Sequence, residues 1–148
     1  PELLIADEPT TALDVTVQAQ ILELMMALKD DLGASVMLIT HDLGVVAETA
    51  DRVIVMYAGK VMENAGVREL FRRPAHPYTM GLLGSIPNLN EDRERLQSID
   101  GVVPSPFSMP KGCRFHPRCS CAMDICRNEE PGFTSIADGH NVRCWRTA

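Results

Sequence analysis

Leu3-Leu4-Ile5-Ala6-Asp7-Glu8-Pro9-Thr10-Thr11-Ala12-Leu13-Asp14 is the stretch on which the reading of this chain turns. Residues 3–6 are an unbroken apolar run, and such strands belong to parallel sheets covered on both faces. The run ends in two adjacent acids, Asp7 and Glu8, and Pro9 stops the strand. In an open α/β sheet, ligands bind outside the carboxyl ends of the strands. One acid of such a pair can hold a magnesium ion, while the other orients and deprotonates a water that attacks a phosphate. Acids at a strand end are also often merely solvated, so the pair alone does not choose between these readings.

Working outward, Asp14 suits the N-cap of a helix over 15–32, with Val17, Ile21, Leu24, Met25, Leu28 and Leu32 at helical spacing and Gly33 as its stop. A second apolar strand, Ser35 to Thr40, ends at His41. A short helix over 43–50 leads to a third strand, Arg52 to Tyr57, and Ala58-Gly59-Lys60 reads as a turn into a fourth, Val61 to Asn64. Alternating strand and helix is α/β grammar. Helices follow over 67–72 and 77–86, and residues 87–112 hold four prolines and little periodicity. The sequence thus divides into an α/β portion over 1–66, a helical and proline-rich linker over 67–112, and a cysteine-rich tail over 113–148. Because Pro1 is followed at once by a core-type strand, the chain reads as the C-terminal piece of a longer one.

The 148 residues are 45% apolar and 23% charged, an ordinary globular composition. The net charge of −6 excludes a nucleic-acid binder that works by neutralising phosphates. No apolar run approaches the roughly 18 residues a membrane span needs, and no signal peptide is visible, so a cytosolic protein is expected. All five cysteines lie between Cys113 and Cys144, and in a reducing compartment such a cluster argues for metal over disulfides. Among Cys113, Cys119, Cys126 and Cys144 no pair has the two-to-four-residue spacing usual for structural zinc. Spacing alone leaves an iron–sulfur cluster, a zinc ion and reduced packed thiols all open.

Three strings taken together resemble the ATP-binding-cassette (ABC) ATPases. Residues 3–14 resemble the Walker B motif and D-loop. Val36-Met37-Leu38-Ile39-Thr40-His41-Asp42 is similar to the switch strand and histidine loop. Residues 50–61 are similar to the strand pair that closes the same domain. The resemblance implies the C-terminal part of a P-loop NTPase domain that works with ATP and magnesium. Asp7 would act on magnesium, Glu8 would be the general base, and His41 would contact the γ-phosphate. Asp14 would sit where two nucleotide-binding domains meet. No Gly-x-x-x-x-Gly-Lys-Ser/Thr loop occurs in the 148 residues, nor do the family's signature motif and glutamine loop. These residues alone are therefore expected not to turn over ATP.

Phe71-Arg72-Arg73-Pro74-Ala75-His76-Pro77-Tyr78-Thr79, a proline-rich stretch and the cysteines resemble the tail of the oligopeptide and dipeptide importer branch. That resemblance implies a small, irregular, cysteine-rich domain with a four-iron, four-sulfur cluster on Cys113, Cys119, Cys126 and Cys144, zinc being the alternative. Cys121 would be spare, and His116 or His140 would be substitute ligands. If residues 120–127 are helical, Cys119 and Cys126 are separated by roughly 10 Å of rise, too far for one zinc ion unless the chain bends. His76 and Tyr78 read as packing at a helix start, with Pro77 in the first turn. The implied partners are a second ATPase subunit, transmembrane permease subunits and, indirectly, an extracytoplasmic peptide-binding protein, with the ATPase peripheral on the cytoplasmic face of the membrane. A different reading is a metal-stabilised dimerisation module with no catalysis of its own.

Overall fold

The structure, a computed structural model, describes residues 1–86 and 98–147. They form two compact units, Pro1–Ala50 and Asp51–Ala148. In the first, strand β1 (Leu3–Asp7) runs parallel to β2 (Ser35–Ile39), with Leu3 opposite Ser35 and Asp7 opposite Ile39. Helix α1 (Val15–Leu32) makes the crossover. Asp14 caps it, accepting from the Thr16 and Val17 amides at 3.1 and 3.0 Å. Gly33 ends it in the left-handed region at φ 59°, where a side chain would be strained. Helix α2 (Leu43–Thr49) is capped by Asp42, which also holds the Gln18 amide of α1 at 3.2 Å.

The expectation of a sheet covered on both faces is not met among the described residues. Only β1 and β2 pair here, so Leu3, Leu4, Ile5, Met37 and Ile39 are exposed, as are Leu24, Leu28 and Leu32 of α1. β3 (Arg52–Tyr57) pairs antiparallel with β4 (Lys60–Gly66) across the turn read from Ala58-Gly59-Lys60. The two-residue turn between them has positive φ at both Ala58 and Gly59, 47° and 78°, which matches the right-handed twist of the flanking strands.

The second unit departs from the division expected at residue 66. β4 hydrogen-bonds to β6 (His140–Val142), which pairs with β5 (Thr134–Ala137), giving a four-stranded antiparallel sheet in the order β3-β4-β6-β5. The tail is therefore not wholly irregular, and its strands complete the sheet of the hairpin. Helices α3 (Val67–Arg72) and α4 (Pro77–Gly84) lie between. Of the expected linker, residues 87–97 lie outside the described residues.

One core cluster joins Tyr57 and Met62 of the hairpin to Cys113, Phe115 and Cys126 of the tail. Tyr57 meets Phe115 edge-on at 5.2 Å and Tyr78 at 4.7 Å, the tilted geometries that aromatic quadrupoles prefer. A second cluster holds Val55, Ala65 and Leu70. Three of the chain's seven aromatic residues are gathered here.

Candidate functional site

In the first unit the parallel register puts the ends of β1 and β2 side by side, and the pairing continues one residue past the strand through Glu8 N–H to Ile39 O at 2.8 Å. This brings Glu8 and His41, separated by 33 positions, into contact: His41 Nδ1 lies 3.2 Å from Glu8 Oε1. The carboxylate accepts, so Nδ1 carries the proton and Nε2 is left for another partner. Thr11 Oγ1 donates to Glu8 Oε2 at 2.9 Å. The hydrogen bond from Thr11, and then the one from His41, hold the Glu8 carboxyl below the ordinary carboxylate range. Glu8 also sits at φ 45°, an uncommon conformation for a side-chain-bearing residue and one often met at functional sites. Asp7 is exposed at the strand end, an oxygen donor of the kind magnesium takes. Asp14 caps α1 while its side chain remains exposed.

Two contacts here were not foreseen. They are Thr11 with Glu8 and Asp42 with Gln18. The short polar side chains of Thr11 and Asp42 just after a strand end were the available signal, because such residues bond back to nearby backbone and side chains. Asp42 lies below its ordinary value through the Val45 amide first, against a burial penalty, with Gln18 and Gly44 adding to the lowering.

In the second unit Cys113, Cys119, Cys121, Cys126 and Cys144 line one pocket with His76, Phe115 and His116 among its walls. Cys113, Cys126 and Cys144 are buried, Cys119 is half-buried and Cys121 exposed, and all five are free thiols. Among the described residues no three His, Cys, Asp or Glu side chains converge tightly enough to close on one metal ion. Burial pushes the Cys113, Cys119 and Cys144 thiols up from their ordinary value.

The expected helix over 120–127 is shorter, α5 (Asp124–Asn128). Cys119 stands outside it, and a turn closed by Ala122 N–H to Cys119 O at 3.2 Å folds the chain back. The 10 Å helical separation of Cys119 and Cys126 therefore does not exist, and that argument against zinc falls with it. Cys113 and Cys126 are drawn together by a backbone hydrogen bond, Cys113 N–H to Cys126 O at 2.9 Å. Gly112 permits it: φ is 70°, and a Cβ there would collide with Cys126 O.

The two candidate substitute histidines part company. His116 lines the pocket, its Nδ1 2.9 Å from Cys113 O. His140 is buried elsewhere, giving Nε2–H to Glu63 Oε1 at 2.7 Å. The fully buried Glu63 also accepts from the Ala75 and His76 amides at 2.8 and 3.0 Å. This knot was not legible in the sequence. His76 caps α4 by accepting the Tyr78 amide on Nδ1 at 3.0 Å, which agrees with a packing role at a helix start. Burial holds its pKa down to about 4, so it is neutral with its proton on Nε2.

Residues 62–126 match the family described as "Oligopeptide/dipeptide transporter, C-terminal region". The chain is 58% identical over 145 residues to the oligopeptide transport ATP-binding protein AppD of Bacillus subtilis, covering 98% of this chain and 44% of that protein. It is 52% identical over 144 residues to the dipeptide transport ATP-binding protein DppD of Escherichia coli, covering 97% of this chain and again 44% of the relative. CbiO1 of Clostridium perfringens, part of an ABC transporter complex, overlays 49% of this chain and 29% of its own at 34% identity and a TM-score of 0.46. The chain spans less than half the length of the curated relatives it matches. No helix among the described residues is long and apolar enough to cross a membrane. Residues 62–126 thus match the C-terminal region of oligopeptide/dipeptide transporters, and nearly the whole chain is similar to the ATP-binding proteins of oligopeptide and dipeptide transport.

Proposed function

We propose that this chain supplies the water-activating half of an ATPase site, in a subunit that drives peptide import through a membrane permease. The observation that carries this is the contact of Glu8 with His41 across the ends of two parallel strands. Asp7 and Glu8 stand at the strand end where an α/β sheet takes its ligand. Magnesium, held by Asp7, would neutralise phosphate charge. Glu8, ionised and oriented by Thr11 and His41, takes the proton of the attacking water. His41 gives Nδ1–H to Glu8 and keeps Nε2 for the terminal phosphate. Asp14, exposed while capping α1, faces a second ATPase subunit, whose surface completes the site.

The subunit works at the cytoplasmic face of the membrane, docked on permease subunits that receive peptide from an extracytoplasmic binding protein. These 148 residues carry no phosphate-binding loop, so by themselves they bind Mg-ATP too weakly to turn it over. In the whole protein Glu8→Gln keeps ATP binding and loses turnover, because the amide fills the same space but cannot take a proton. Hydrolysis surviving within about tenfold would remove Glu8 from the role of base.

The tail holds a four-iron, four-sulfur cluster on Cys113, Cys119, Cys126 and Cys144. Support comes from the pocket these thiols line and from the buried positions of three of them. A cluster spreads its four thiolates over a wider shell than a single zinc ion. It would supply the tail with a covalent staple that a segment this small needs. Iron and acid-labile sulfide on anaerobically prepared protein test it, and stoichiometric zinc without sulfide would replace it.

A further inference from the structure

Asp42 divides its carboxylate between two helices. Oδ1 accepts from the Gly44 and Val45 amides at 2.9 and 3.2 Å and caps α2, while Oδ2 accepts from the Gln18 side-chain amide of α1 at 3.2 Å. The cap needs only the first oxygen. The second ties the residue directly after His41 to the first turn of α1. Gln18 and Asp42 meet across 24 positions because a parallel crossover starts its helix at the carboxyl ends of the strands, where β2 runs out toward His41. Both residues are half-buried, so water competes less for this bond than at the open surface. On the other side of His41, Thr40 Oγ1 accepts from Asp42 N–H at 3.0 Å. The backbone under His41 is thus held, while its side chain is 79% exposed and reaches Glu8 at 3.2 Å with no enclosing wall to fix its direction. Gln18 is itself placed by Asp14. Its backbone N–H donates to Asp14 O at 2.9 Å, closing the first turn that the Asp14 carboxylate caps. Hydrogen bonds therefore run from Asp14 through Gln18 and Asp42 to the loop of His41.

We infer that Gln18 is a positioning residue of the ATPase: through Asp42 it sets where His41 stands against Glu8, and it carries to that loop any shift of the helix that starts at Asp14. The inference rests on the function proposed above, in which Asp14 faces a second subunit and Glu8 is the base. On that footing, a subunit that docks on Asp14 also acts on the histidine loop, because the first turn of α1 cannot move without pulling on Asp42. In this role Gln18 makes no contact with the reacting atoms and works only through the direction of the His41 ring. Small errors there are costly, since misplacing a catalytic group by about 1 Å can lower turnover by about a hundredfold.

The test uses the full-length ATPase subunit assembled with its partner, with kcat and KM for ATP as readouts. Gln18→Met keeps the length and helix preference of the side chain but has no donor, and it should lower kcat about tenfold or more with KM within about twofold of wild type. Gln18→Arg still donates to Asp42 and should return kcat to within about threefold of wild type. In a His41→Ala protein, Gln18→Met should change the remaining kcat by less than about twofold, because the residue it positions is gone. A Gln18→Met kcat within about twofold of wild type would overturn the inference, and so would a failure of Gln18→Arg to restore turnover. A fall of equal size in the His41→Ala background would also overturn it, by marking a structural loss that does not pass through His41. Undiminished turnover in His41→Ala or Glu8→Gln would instead overturn the reading of the site on which the inference rests.

Discussion

Glu63 is the residue whose loss the second unit should tolerate least. It is fully buried in the central strand β4 and accepts from three donors: the Ala75 amide at 2.8 Å, the His76 amide at 3.0 Å and His140 Nε2 at 2.7 Å. Glu63→Ala removes the acceptor and leaves two buried donors, the His76 amide and His140 Nε2, and the half-buried Ala75 amide without a partner. A hydrogen bond to a charged group contributes about 1.5–3 kcal/mol, and stripping one partner from a buried pair costs about 3–5 kcal/mol. Three bonds at the lower figure reach the same range, about 4–5 kcal/mol, against about 5–15 kcal/mol for a whole domain. Glu63→Gln keeps an acceptor oxygen but turns a donor toward one of the three, so it should cost about half as much. Trp145, the single tryptophan, reports the tail directly in denaturant unfolding, its indole N–H bound to Glu129 O at 3.1 Å. A cycle of Glu63→Gln with His140→Gln should show a coupling of about 1–3 kcal/mol. Glu63→Ala losing under about 1 kcal/mol, with the unfolding slope unchanged, would refute the assignment of Glu63 as the link between hairpin and tail.

His76, with its pKa lowered to about 4 from 6.5 by burial, contributes stability that is whole above pH 6.5 and is lost as pH falls toward 4, in full about 3 kcal/mol. His76→Gln, which can still accept the Tyr78 amide, should flatten the fall of unfolding free energy across that window; an unchanged slope would assign it to other groups. Gly112→Ala should cost about 2 kcal/mol or more, because it strains φ 70° and pushes on Cys126 O, and the thermal midpoint should drop accordingly. Thr11→Val should let the Glu8 carboxyl titrate higher, since the hydroxyl is the first cause holding it down; carboxyl carbon shifts against pH will show it, and a titration unmoved by the change would remove Thr11 from that part.

Local structure was legible where a short stretch decides it. Asp14 capping α1, Gly33 ending it and the Ala58-Gly59 turn all follow from chemistry within a few residues, and α1, β3 and α3 fall where the pattern puts them. The Glu8–His41 contact was approachable for a related reason: two apolar runs each ending in a polar residue place those residues together once the strands pair in parallel. The knot around Glu63 escaped because it depends on pairing that alternation cannot reveal. In the run Val61-Met62-Glu63-Asn64, period-two reading puts Met62 and Glu63 on opposite faces. The register instead shifts there, Val55 lying opposite Glu63 and Met56 opposite Val61, so Met62 is the extra residue of a bulge. The shift lets Met62 and Glu63 be buried in succession, at 1% and 0% exposure. Once buried, Glu63 needs donors, and the nearest in space come from positions 75, 76 and 140. The tail's short strands carry little pattern of their own: β6 spans only three residues. Its place in the fold is set by β4 beside it and by the carboxyl that β4 turns inward. The hairpin, through Tyr57 and Met62, also packs against Cys113 and Cys126 of the cysteine pocket, and damage at Glu63 should reach that pocket without touching a thiol.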